Sequence, residues 1–138
     1  MKLGKYFSLS ELTVTSTGLN NLPMKPEQDN LVLLVKNILD PLRELYGNQI
    51  HINSGYRSPI VNREIKGFIN SQHVFGQAAD ITGGSPEENE KLFNLIVSNF
   101  KFDQIINEKN FEWVHVSYSN VKNRNEKLKF TGKGYIKI

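Results

Sequence analysis

Ser71-Gln72-His73-Val74-Phe75-Gly76-Gln77-Ala78-Ala79-Asp80 sets an imidazole and a carboxylate seven positions apart, with small residues between them. A second imidazole stands far downstream in Glu112-Trp113-Val114-His115-Val116-Ser117-Tyr118. Two histidines and one carboxylate, with a position left open for water, form the ligand set of a catalytic zinc site. The chain has three histidines, and two of them fall in these segments. Ala78 to Ile81 reads as a buried strand whose alanines let backbones approach closely, with Asp80 emerging from it. A carboxylate in so apolar a segment needs a cation or a full set of hydrogen bonds. Taken singly, Asp80 reads as a cap of the Thr82-Gly83-Gly84 loop and His115 as a satisfied core histidine. The spacing of His73 and Asp80 favours a shared metal instead.

Around this stretch the pattern alternates between helix and strand. Phe7 to Leu12 predicts a short helical start, with Ser8 and Glu11 at capping-box spacing. Thr13 to Met24 is a polar loop. Pro26 opens a long amphipathic helix in which Leu31, Leu34, Val35, Ile38, Leu42 and Leu45 recur at three and four, and Gly47 ends it. Pro41 within it predicts a kink or break, with Asp40 capping a second segment. Gln49 to Asn53 alternates as a short strand; His51, on its outer face, reads as a surface residue. Ser54 to Pro59 is a tight loop, and Pro59 starts a short helix toward Gly67. Ser85-Pro86 with Glu88 caps a helix through Phe100. Phe102 to Asn107 and Trp113 to Tyr118 predict antiparallel strands joined by a turn, and Lys129 to Thr131 and Tyr135 to Ile138 short edge strands. The expected class is α+β, a small antiparallel sheet flanked by helices.

At 138 residues, a single domain over 1–138 is expected, burying about two-thirds of its unfolded surface. Without cysteine, any metal is held by His and carboxylate. The net charge of +3 is modest. The densest basic stretch, Lys122, Arg124, Lys127, Lys129 and Lys133, is broken by Glu126 and lacks interleaved aromatics, so it reads as a solvated face and no nucleic acid is expected. No apolar run is long enough to span a bilayer, and the first residues carry no signal-peptide pattern.

Ser-x-His-x6-Asp, Gly-x-Ala-x-Asp, the Ser54-Gly55-Tyr56-Arg57-Ser58 loop and Trp113-Val-His-Val-Ser117 together resemble the zinc D-Ala-D-Ala carboxypeptidase family. That family includes vancomycin-resistance dipeptidases and phage endolysin peptidases, and shares the Hedgehog-type fold. The similarity spans Phe7 to Tyr118 in the family's order. It implies a Zn2+ cofactor held by His73, Asp80 and His115. It also implies that Arg57 contributes to substrate or transition-state binding, and that Glu112, in Glu-x-x-His, is the general base. On a regular strand, positions three apart point to opposite faces, so Glu112 serves only from a turn or bulge. Glu108 is the rival base, and Glu112 is favoured. Ser71, Gln72 and Ser117 are candidate substrate-binding groups, while Tyr56, Trp113 and Tyr118 read as wall and core.

The expected activity is zinc-dependent hydrolysis of an amide in the peptidoglycan stem peptide, as a D,D-carboxypeptidase or murein endopeptidase of endolysin type. A monomer is expected, cytoplasmic until released to the cell wall during phage lysis, or virion-associated. Two other readings stand beside it. One is a non-catalytic, zinc-containing domain that binds cell wall or a protein. The other is a cytoplasmic dipeptidase acting on free D-Ala-D-Ala. The short chain has few insertions to build a lid, which favours an open cleft.

Overall fold

Six short strands form one sheet in a computed structural model that describes residues 1–138. They are β1 (His51–Ser54), β2 (Ala78–Thr82), β3 (Gln104–Glu108), β4 (Trp113–Ser117), β5 (Glu126–Phe130) and β6 (Tyr135–Lys137), in the order β1-β2-β4-β3-β5-β6. Every junction is antiparallel except β3–β5, which is parallel. The expectation of an antiparallel sheet gives way at that junction because of the chain's path. The chain leaves β4 beside the start of β3 and re-enters on the other side of β3, so β5 runs the way β3 does. The α+β class stands, with helices α1 (Leu9–Leu12), α2 (Lys25–Leu34), α3 (Asp40–Tyr46), α4 (Pro59–Glu64) and α5 (Pro86–Asn99).

Period-two alternation divides the sheet into two chemically different faces. Ala79, Ile81, Ile105, Val114 and Val116 point to one side and join a buried cluster with Leu31, Leu34, Ile38 and Leu42 of the long helical stretch and Leu92 and Ile96 of α5. Each fully buried aliphatic side chain of this kind contributes about 1.5–3 kcal/mol. Asp80, Ile106, Glu108 and His115 take the opposite parity. Register makes this concrete: His115 stands opposite both Asp80 on β2 and Ile106 on β3.

Local signals in the sequence account for most element ends. Ser8 and Glu11 form the reciprocal capping box, and the Ser85 hydroxyl accepts from the Glu88 N–H beside Pro86. At Pro41 the outcome differs from a break. The chain stays helical and loosens into a π turn over Val35–Leu39 just before the proline. A proline there withdraws one N–H and crowds the carbonyl four residues back, and a wider turn relieves both. Asp40 does not cap the second segment, because its own backbone is helical. Its carboxylate instead accepts from the N–H groups of Lys5 and Tyr6, at 2.7 and 3.1 Å, tying down the N-terminal stretch.

Candidate active site

Three side chains distant in sequence converge on the face of the sheet turned away from the helical core. Asp80 and His115 arrive as cross-strand partners. His73 comes from a single 3₁₀ turn, Gln72–Phe75, started by the Ser71 hydroxyl accepting from the His73 N–H and ended by Gly76 at φ 73°. A side chain at Gly76 would meet the strain of a left-handed backbone and also the Glu27 carbonyl at 2.4 Å. Asp80 Oδ1 lies 3.0 Å from His115 Nδ1 and 3.4 Å from His73 Nε2. One ligand atom from each of the three residues lies within 4.8 Å of the other two.

The surroundings fit a cation. His73 Nδ1 is 2.7 Å from the Gly55 carbonyl. A carbonyl only accepts, so the proton sits on Nδ1 and the Nε2 lone pair faces Asp80. A carbonyl holding the far nitrogen of a ligating imidazole is the usual outer support of a zinc site. His73 is nearly sealed from solvent, and burial lowers its pKa, which keeps the imidazole neutral and able to coordinate. Burial alone would raise the Asp80 carboxyl, but positive charge on His73 and His115 beside it outweighs that and holds it far below the usual carboxylate range, a role that a bound cation would take over once the imidazoles are neutral.

Arg57 completes the inner ring. Its Nη2 donates to Asp80 Oδ2 at 3.2 Å and its Nε to the Ser54 hydroxyl at 3.0 Å, while its backbone N–H donates to the His73 carbonyl. A bulge between Ile52 and Ser54 makes this possible. Ile52 pairs with core-facing Ile81, yet Ser54 pairs with Asp80, so the extra residue turns Ser54 toward the site. Burial lowers the pKa of the Arg57 guanidinium, and Asp80 and Glu108 oppose that; arginine remains charged regardless.

A family model described as Peptidase M15 matches residues 5–117, a span that contains every one of these groups. The chain belongs to the Peptidase M15 family. No individual curated protein matches it. Membership makes it one of a family of metallopeptidases, and the His73–Asp80–His115 cluster is where this M15 chain can hold its metal. No helix is long and apolar enough to cross a membrane.

The M15 site opens into a cavity of about 880 Å³ whose lining includes Arg57, Ser71, Gln72, His73, Glu108 and His115. Glu108 sits at the end of β3, two residues beyond Ile106 and so on the face of His115. Burial, helped by Asp80, raises its carboxyl above the ordinary glutamate range, against His115, Lys109 and Arg57. Glu112 is exposed in the turn before β4 and does not line the cavity. That turn is unusual: Lys109, Asn110 and Phe111 all have positive φ. Asn107 and buried Asn89 hold it by side-chain hydrogen bonds to Phe111 and Glu112.

The remaining candidate residues part company. Ser71 lines the cavity with its hydroxyl on the His73 N–H, and Gln72 lines it with its amide on Asp103 Oδ2 at 2.9 Å. Ser117 is fully buried outside the cavity, its hydroxyl engaged with the Gln104 backbone. Lining residues that the sequence did not single out include Lys66, Phe68, Lys109, Phe130 and Tyr135, and Arg124, read there as part of a solvated face. Phe130 and Tyr135 enter from β5 and β6, Arg124 from just before β5, and Lys66 and Lys109 from positive-φ positions, placements that residue type alone does not signal.

Proposed function

We propose that this M15 chain is a zinc-dependent peptidase hydrolysing an amide bond in the stem peptide of peptidoglycan, with endopeptidase access to a polymeric substrate. The observation that carries the reading is the placement of the His73–Asp80–His115 cluster on the floor of an open cleft, with a buried carboxylate, Glu108, on the same face.

His73 Nε2, an Asp80 oxygen and His115 Nδ1 would hold the ion. Bound zinc polarises a carbonyl and acidifies a water molecule. Glu108 takes the proton of the attacking water and passes it to the departing amide nitrogen. A carboxyl raised by burial is suited to both halves of that transfer, since it accepts a proton readily and keeps it until the leaving group needs it. Arg57, anchored through Nη2 and Nε, directs its remaining N–H groups at a substrate carboxylate or at the oxygen on which negative charge develops. Glu112 fits the Glu-x-x-His spacing, and support for Glu108 over it comes from burial and from the cavity it lines.

The test is digestion of purified sacculi by the zinc-loaded protein, with and without a chelator, and identification of the new amine termini by mass spectrometry. Metal-dependent release of fragments is expected. Sacculi and stem peptides that stay intact would leave the chain a binding domain.

A further inference from the structure

We propose that Arg124 is a specificity-determining residue that reads a free carboxylate on the substrate at the end of the cleft remote from Glu108, an inference that rests on the peptidase reading above. Arg124 lies just before β5 and lines the cleft together with Gln72 and Gln104. Gln104 opens β3 and pairs with Glu126, two residues before Ile106 at the level of His115. Two strand residues span about 7 Å, roughly two residues of an extended peptide bound alongside.

The guanidinium is fixed from behind. Arg124 Nε donates to Asp103 Oδ1 at 2.9 Å and Nη2 to Oδ2 at 2.8 Å, and the Arg124 N–H also reaches Oδ1 at 3.0 Å. Asp103 is buried and takes the Gln72 amide as well. This fork uses the edge of the guanidinium made by Nε and Nη2. The opposite edge, Nη1 with the second Nη2 hydrogen, is left for another acceptor, on a side chain that is 51% exposed. Such an arginine has already lost its rotamer freedom, so a bound carboxylate forgoes little entropy. Glu126 Oε1 stands 3.7 Å from Nη1, beyond hydrogen-bonding range, and accepts instead from the Gln104 amide at 2.7 Å.

Charge points the same way. Asp80 and Asp103 already meet the charges of Arg57 and Arg124, and Lys66 and Lys109, which form no ion pair, line the cleft with Glu108 as the remaining carboxylate. A site biased in this way favours an acidic peptide over a neutral one. The stem peptide's acidic residues supply free carboxylates in some cell walls and primary amides in others.

Soluble muropeptides, native and with their carboxylates converted to primary amides, test the inference on zinc-loaded wild-type, Arg124→Gln and Glu126→Gln proteins. Wild type should prefer the native form. Arg124→Gln should shrink that preference about tenfold, the worth of one charge-assisted pair, through KM and with kcat kept. Glu126→Gln, by removing the one competing carboxylate near Nη1, should lower KM for the native form. An undiminished preference in Arg124→Gln, or no preference in wild type, would overturn the subsite. So would a parallel loss of both substrates with a lower unfolding midpoint, which marks a structural role alone. If wild type cleaves neither form, the peptidase reading fails and the subsite falls with it.

Discussion

The Gly55 carbonyl oxygen lies 2.7 Å from Nδ1 of His73, so the deepest of the three candidate ligands is oriented by a residue that cannot carry a side chain. A Cβ on Gly55 would stand 2.4 Å from the Leu12 carbonyl, which already accepts the Tyr56 N–H. Gly55→Ala should therefore cost about 1–3 kcal/mol of stability and weaken zinc binding about tenfold. Urea denaturation and a zinc titration measure the two effects. Native zinc affinity in a destabilised Gly55→Ala protein would separate the carbonyl from the metal site.

One ion per chain is expected, because one cluster of three ligands is present. Zinc at a hundredfold excess over its Kd should add about 2.7 kcal/mol to the stability of the native state, and a chelator should remove it. His115→Ala and Asp80→Asn should abolish both the stoichiometric ion and the thermal shift. Retention of tight zinc by either variant would place the ion elsewhere.

Glu108→Gln should bind zinc normally while losing about 10²–10⁴ in kcat. Glu112→Gln, at an exposed position, should stay within about twofold of wild type. The reverse pattern would move the general base into the turn at Glu112.

Acid should act on the buried Asp103. Burial alone would raise its carboxyl, but Arg124 and Gln72 prevail and hold it below the ordinary range. A depressed native pKa contributes stability above the unfolded value, near 3.9, and that contribution is lost as the pH falls toward the native value. Asp103→Asn should thus be about 2 kcal/mol less stable at pH 7, with the gap to wild type closing below about pH 4. Urea midpoints at pH 7 and pH 3 report it; a constant gap would mean that the asparagine fails for steric reasons.

The cluster that can hold a metal is legible because coordination needs particular side chains at particular spacings, and His73, Asp80 and His115 carry that constraint in the chain itself. Strand parity was legible too, since Ala79 and Ile81 bury opposite Asp80. What escaped depended on backbone path. Three consecutive positive-φ residues between β3 and β4, none of them glycine, carry no composition signal, and they decide that Glu112 faces solvent. Ser117 has the parity of His115, but its hydroxyl satisfies the Gln104 backbone. Arg124 reads in the sequence as one charge among several, and what sets it apart is Asp103 behind it, a contact made only in the fold.

The strand order separates floor from wall. The candidate ligands sit on β2, β4 and the turn before β2, inside the span that matches the M15 family, whereas Arg124, Leu128, Phe130 and Tyr135 follow residue 117. β5 pairs with the outer edge of β3 and β6 with β5, so residues that follow the matched span build one wall of the cleft beside a floor laid down before them. Exchanging that wall between M15 chains should alter which peptides the cleft accepts while leaving His73, Asp80 and His115 in place.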